Sequence, residues 1–345
     1  MLLHQHRSAN FRRLIPALGA IAAVAGLAFA AGPSRAQEFT MKFATLTLND
    51  MQHEYIKVYK REIEKATNGR IKVGIFPAGQ LGGAPQQTQG LRLGTIEAAI
   101  GPAELFFGAD PRFQGLAMAG LFKDYAHAKR AVELPAVKKA IFDVAAQRNL
   151  VGIYAGVYDL QGIVTKTPSN KIADLSGKRI RVLASEGEQA QIRSLGASAV
   201  PMSLPEVLPA LQQGTIDGVS TVKGVFVAFK YYDAAPHLLD TQLWALIPIT
   251  LLSKVWFNRL PPDLQKAVVE VGGKIGPEIA KWQDARIAAD TKAWLDNGGK
   301  ITNLSAPEQA EAEKRVTAAI QPVLAKNAAL KEFYDKIKAG ADSVK

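Results

Sequence analysis

Residues 174–220 read DLSGKRIRVLASEGEQAQIRSLGASAVPMSLPEVLPALQQGTIDGVS. Two strand-like runs, 179–183 and 216–220, enclose a helical run, a short strand of small residues and a second helical run stopped by Gly214. That order is βαβαβ, the unit of a parallel sheet covered by crossover helices. Arg181 falls at the end of the first strand. Open α/β sheets bind ligands outside the carboxyl ends of their strands, so an arginine there is placed to face a bound anion. Nothing in the segment reads as a nucleophile or a redox group, and the pattern points to binding before catalysis.

A second series precedes it. Residues 39–48 read as a strand, and Asn49-Asp50-Met51-Gln52 as a helix start. Met51, Tyr55, Ile56, Val58, Tyr59 and Ile63 then recur at helical spacing until Asn68-Gly69. A strand over 70–76, a helix ending near Gly94 and a strand over 96–100 complete it. The two series echo each other: Gly69-Arg70-Ile71-Lys72-Val73 against Lys178-Arg179-Ile180-Arg181-Val182, and Leu93-Gly94-Thr95-Ile96-Glu97 against Gln213-Gly214-Thr215-Ile216-Asp217. Two like-folded lobes facing one another are expected, and the cleft between such lobes is the usual small-molecule site.

Strands are expected at the crossover over 149–156 and 161–165, with a return crossing in the apolar run 241–253. Helices follow Leu260-Pro261-Pro262-Asp263, interrupted around Gly272, Gly273, Gly276 and Pro277, and closing helices occupy 307–338. The fold class is therefore an α/β two-lobe clamp with hinge crossovers and C-terminal helices. The expected division is 37–160 plus 246–275 for the first lobe, and 161–245 plus 276–345 for the second lobe and closing helices.

The chain begins with an export signal in outline. His4, His6, Arg7, Arg12 and Arg13 make a cationic start, residues 14–31 are apolar and rich in Ala and Gly, and Ser34-Arg35-Ala36 sets small residues where a signal peptidase cuts. Cleavage near Ala36 puts the mature protein in the periplasm, beginning at Gln37. The remaining 309 residues exceed what one core usually serves, in keeping with two lobes. With no cysteine, disulfides, thiolate metal sites and cysteine catalysis are excluded. The leader holds four arginines and no acid, so the formal charge of +11 falls to +7 on cleavage. The basic residues are scattered, which argues against a nucleic-acid partner, while a mild positive field draws in small anions.

Beyond these elements, the chain carries Gly79-Gln80-Leu81-Gly82, Leu91-Arg92-Leu93-Gly94-Thr95-Ile96-Glu97, Asp174-Leu175-Ser176-Gly177 running into Ile180-Arg181-Val182, and Pro201-Met202 with Pro205-Glu206-Val207. It continues with Leu211-Gln212-Gln213-Gly214-Thr215-Ile216-Asp217-Gly218, Lys230-Tyr231-Tyr232 and Leu260-Pro261-Pro262-Asp263-Leu264-Gln265-Lys266. In number and order these motifs resemble the extracytoplasmic solute-binding subunits of tripartite ATP-independent periplasmic (TRAP) transporters, in the dicarboxylate-binding-type branch. The resemblance implies a hinged clamp, monomeric, closing on an organic acid and presenting it to small and large membrane permease subunits. It places the carboxylate-gripping arginine at Arg181, in agreement with the strand-end argument. A guanidinium is always charged, and its planar fork matches the two carboxylate oxygens.

The chain departs from that family where a second arginine is often found, which here falls on Gln161 or Leu160. Val219-Ser220-Thr221-Val222 replaces a frequent Gln-Glu-Asn-Pro, and Trp244 and Ala245 stand where polar residues are common. Fewer groups remain for a second carboxylate, so one carboxylate on an apolar or aromatic body is expected. A C4-dicarboxylate or a sugar acid is the alternative, and a receptor feeding a membrane sensor is the alternative of another class. Lys166, Arg179 and Arg193 are the residues able to restore a second cation.

Other candidates follow from position. His53, just after the first strand, caps a helix or meets the ligand. Glu104, after the third, accepts from a ligand hydroxyl or opens a helix. Phe226, Phe229, Tyr231 and Tyr232 read as core packing of a helix, with the lining of a pocket as the alternative for any one of them. No catalytic set accompanies them: three histidines follow the leader without metal-ligand spacing, and no nucleophile elbow or phosphate-binding glycine loop is present. Neither enzyme activity, cofactor nor metal is expected.

Overall fold

A computed structural model describes residues 38–344. The leader expected over residues 1–36 lies outside the described residues. Two sheets carry the fold. The first holds, in spatial order, Ile71–Phe76, Phe39–Ala44, Ala98–Pro102, Pro248–Ser253 and Leu150–Ala155. The second holds Ser198–Pro201, Arg179–Val182, Gly218–Thr221, Gly162–Thr165, His237–Asp240 and Lys300–Asn303.

Both sheets repeat one scheme. Each βαβαβ series gives three parallel strands in the order second, first, third, and an antiparallel strand returns beside the third. The echo between the two sequence series is thus an echo of topology. In this order the strand sequence reverses between the first and third strands, and the crevice beyond their carboxyl ends is where ligands lodge. In the second sheet those strands end at Val182 and Thr221. Their register sets Arg181 opposite Val219, so Arg181 and Thr221 share a face.

The chain passes between the sheets three times, and the first two passages run side by side. Asp159–Leu160 pairs antiparallel with Ala245–Leu246 in a two-stranded joint of its own. On one side of it lie Leu150–Ala155 and Pro248–Ser253, and on the other Gly162–Thr165 and His237–Asp240.

Local chemistry fixes the helices. Asp50 caps Met51–Ala66 by accepting from the His53 amide at 3.0 Å, Ser185 caps Glu186–Ser194, and Ser203 with Glu206 boxes the start of Leu204–Gln213. Gly94 and Gly214 stop the corresponding helices of the two series in left-handed conformation, φ 77° and 73°. The strand expected from residue 216 begins at Gly218. Thr215 and Ile216 still donate to the Ala210 carbonyl, closing the helix, before Asp217 bonds the Arg179 carbonyl. Gly218 is required: a Cβ there would lie 2.3 Å from the Val164 carbonyl oxygen.

The interrupted helix is Pro262–Lys274 followed by Gly276–Asp296, with Ile275 between them. Ala306–Lys326 packs on Glu186–Ser194 in the second lobe. The final helix, Ala328–Asp342, grouped with the second lobe by its place in the sequence, packs instead on Pro111–Ala117, Tyr125–Glu133 and Pro135–Ala146 beside the first sheet. The C-terminal segment therefore clasps both lobes. Among the described residues no helix is long and apolar enough to cross a membrane.

Candidate ligand-binding site

Arg181 is 2% exposed, a cation buried at the strand order's switch point. Its Nε donates to the Met202 carbonyl at 2.9 Å, which fixes the plane of the fork. Its Nη2 is buried without a hydrogen-bond partner among the described residues. Two acids close to it in sequence do not pair with it: Asp174 accepts from the backbone amides of Asn170 and Lys171, and Glu186 is exposed. Burial pulls the Arg181 pKa down, opposed by Tyr231, Glu188, Glu104 and Glu206, and a guanidinium so placed still carries its charge at neutral pH. A buried donor with no acceptor costs stability unless a ligand supplies one.

Beside Arg181 lies a cavity of about 30 Å³ between the lobes. Leu46, Thr47, Gln52, Pro102 and Leu105 line it from the first lobe, and Leu183, Leu204, Thr221 and Val225 from the second, with Leu246 from the joint. The space equals about one water's share of liquid, so the lobes stand closed and must part to admit an organic acid. Larger hollows of about 190 and 280 Å³ lie elsewhere, but neither is lined by a buried, unpaired cation. The lining is mostly leucine, valine and proline, with Thr47, Gln52 and Thr221 as its uncharged polar groups.

Of the residues singled out from sequence, the structure brings Arg181 and Thr221 to this cavity. Gln161 does not line it and is 2% exposed: its Oε1 lies 3.3 Å from Ser220 Oγ, whose one proton is also within reach of Glu188, and its Nε2 has no partner among the described residues. Glu104 opens a short 3-10 turn, Ala103–Phe106, and is buried with both carboxyl oxygens unpartnered among the described residues. Its pKa is pushed up to about 8, by burial first and then by the charge of Glu188. His53 does not line the cavity. Its amide donates to Asp50 and its Nδ1 accepts from the Asn49 amide at 3.1 Å, a capping arrangement, while the adjacent Gln52 faces the cleft. Trp244 does not line it either, because its ring packs with Ile163, Leu239 and Leu243 in the core of the second lobe.

Lys166, Arg179 and Arg193 also stay away. Lys166 donates to the Leu211 carbonyl, Arg179 pairs with Asp217 at 2.8 Å, and Arg193 binds Gln189. Two polar residues escaped the sequence reading. Glu188, on the first turn of Glu186–Ser194, accepts from the Leu183 amide at 2.7 Å and from Ser220 Oγ at 3.3 Å. Tyr231, read as core, is buried with its hydroxyl unpartnered among the described residues, and it acts electrostatically on Arg181.

A two-lobe clamp closed over Arg181, whose Nη2 has no partner among the described residues, is built to take a small anion. Comparison with known proteins agrees: residues 43–327 match the family described as bacterial extracellular solute-binding protein, family 7. The chain belongs to that family, the solute-binding receptors of TRAP transport, which bind their ligands without converting them. The 2,3-diketo-L-gulonate-binding periplasmic protein YiaO of Escherichia coli is 27% identical over 278 residues, 79% of this chain and 82% of that one. A TRAP periplasmic solute-binding protein from Desulfovibrio salexigens, solved with orotic acid, superposes with a TM-score of 0.81 at 22% identity, covering 88% of this chain and all of the other. A further one from Xanthobacter autotrophicus, solved with β-D-galacturonate, superposes with a TM-score of 0.79 at 25% identity, covering 87% and 99%.

Proposed function

We propose that this protein captures an organic acid through one carboxylate, held by Arg181, with an apolar or aromatic body against the leucine-lined walls of the cleft. The observation that carries the reading is the buried Arg181 Nη2 without an acceptor. A carboxylate placed there completes the fork and neutralises the charge. Gln161, Thr221 and Glu104 supply neighbouring polar contacts, and His53 and Trp244 act at one remove through the helix cap and the core. Among the described residues a second carboxylate meets no other cation in the cavity lining, and its desolvation would cost several kcal/mol. An apolar body gains from burial against Leu46, Leu105, Leu183, Leu204 and Val225.

The two crossings beside Asp159–Leu160 serve as the hinge. The lobes divide at about residues 160 and 246, and the closed form is presented as a monomer to the small and large membrane subunits after export and cleavage near Ala36. A sugar acid is the competing ligand: YiaO is named for binding 2,3-diketo-L-gulonate, and the Xanthobacter protein was solved with galacturonate. Thermal-shift screening of the mature protein against branched and aromatic monocarboxylates, sugar acids and C4-dicarboxylates, with product analysis of each hit, tests the reading. Stabilisation by monocarboxylates, each recovered unchanged, supports it. Preference for sugar acids or dicarboxylates overturns the ligand class.

A further inference from the structure

Two buried carboxyls, Glu104 and Glu188, act on the buried Arg181 guanidinium. Glu104 follows the third strand of the first sheet and Glu188 follows the first strand of the second; Pro111–Ala117 packs on both Ala103–Phe106 and Glu186–Ser194, and the charge of Glu188 acts on Glu104. Each is at most 3% exposed, and Arg181 is the cation acting on both. Glu188 is solvated by the Leu183 amide and Ser220 Oγ, whereas Glu104 has no hydrogen-bond partner for either oxygen among the described residues.

Other charged groups on the neighbouring elements are engaged or turned outward. Arg112 is bound to Asp110, Arg92, Glu186, Arg193 and Glu206 are exposed, and on Ala306–Lys326 Glu311 pairs with Arg315 at the surface. With both glutamates ionised, a ligand carboxylate would bring three buried negative charges against one guanidinium. An ionised carboxylate without a single donor is the least tenable of them.

We infer that closing the cleft on its acid ligand takes up a proton from solvent into the Glu104–Glu188 pair, with Glu104 held as the neutral acid, so that ligand and proton are bound and released together. This rests on the reading of the cleft as an organic-acid site. Proton uptake on closure follows when parting the lobes returns both carboxyls to water, and so towards the ordinary 4.5. In the closed cleft burial raises both, Glu104 to about 8. Since the closed-state values are the higher ones, the proton's contribution to affinity is complete below about pH 4.5 and is lost as pH rises through about 8. Held as an acid, Glu104 is also a hydrogen-bond donor, a role opposite to the acceptor expected from its position.

The test is calorimetric titration of the mature protein with 3-methylbutanoate, benzoate, D-galacturonate and succinate from pH 6 to 8.5, in buffers of different ionisation heat. The expected result is uptake of about one proton per ligand bound near pH 7, with Kd rising up to about tenfold per pH unit towards pH 8. Glu104→Gln, which fixes a neutral side chain, should flatten that slope and abolish the buffer dependence. If Glu104→Gln fails to fold, the buffer dependence of proton uptake in the wild-type protein carries the test. Binding with no proton uptake and a flat pH profile overturns the inference and leaves the organic-acid reading standing, and so does a slope unchanged in the variant. Failure of all four acids to bind at pH 6 overturns both.

Discussion

Lys223 Nζ lies 3.3 Å from Asp159 Oδ2, tying the first turn of Lys223–Ala228 to the two-stranded joint between the lobes. Asp240, at the end of its strand, lies 3.3 Å from the same ammonium, and all three side chains are less than a tenth exposed. Burial raises the Asp159 pKa, and Lys223 opposes that rise.

Removing Lys223 would leave two carboxyls buried without their counter-charge. Lys223→Met should cost about 3–5 kcal/mol, the usual penalty for breaking a buried ion pair from one side. The melting temperature should fall by roughly 5–15 °C. Adding Asp159→Asn should recover part of the loss. Urea unfolding of the three proteins measures it, and a single variant within 0.5 kcal/mol of wild type, roughly the effect of an ordinary surface change, would show that the triad is not stabilising.

Much of this arrangement is legible in the sequence, for physical reasons. Strand periodicity, the helix-stopping Gly94 and Gly214 and the repeated Gly-Thr-Ile junctions mark two βαβαβ series, and the strand-end rule selects Arg181 without a structure. The same rule reaches Glu188, one helical turn beyond the same strand, but an acid in a first helical turn also has a local explanation in the helix dipole. Leu46, Leu105 and Leu183 were indistinguishable from core, because a leucine facing a closed cleft has the same neighbours in sequence as one facing a sheet. Trp244 precedes a strand of two residues, Ala245–Leu246, too short for alternation to say which side its ring takes. The return of Ala328–Asp342 to the first lobe depends on a docking partner two hundred residues away, which its own amphipathic pattern does not name.

Asp110 forms a second buried charge centre in the first lobe, 2.7 Å from both Arg112 Nη2 and Arg148 Nε. Burial pushes its pKa up, but hydrogen bonds from Arg112 and Arg148 outweigh that and hold it below 3.8. A depressed folded-state pKa stabilises the fold above the unfolded value and loses the contribution as pH falls through the folded value. Asp110→Asn should therefore cost about 1–3 kcal/mol at pH 7. Its difference from wild type should shrink below about pH 4. Urea unfolding at pH 7 and pH 3.5 provides the comparison, and an equal difference at both values would remove the electrostatic explanation.

With Arg181 the cation lining the cavity among the described residues, selectivity should follow. Succinate is expected to bind at least about tenfold more weakly than 3-methylbutanoate, since its second carboxylate enters a leucine-lined space with no counter-charge and must give up water. Competition calorimetry at pH 7 gives the ratio, and tighter binding of succinate would mean that a second cation swings into the cleft.

The most direct test of the account is the affinity of the strongest ligand from the acid panel for wild type, Arg181→Ala and Arg181→Lys, measured by calorimetry at one pH. Loss of the guanidinium removes one partner of a desolvated charge pair, so the alanine variant should bind about 2–4 kcal/mol more weakly. Lysine should restore only part of this, because an ammonium cannot form the two-pronged fork. Near wild-type affinity in Arg181→Ala, with its fold intact, would contradict the account and place the anion site elsewhere in the protein.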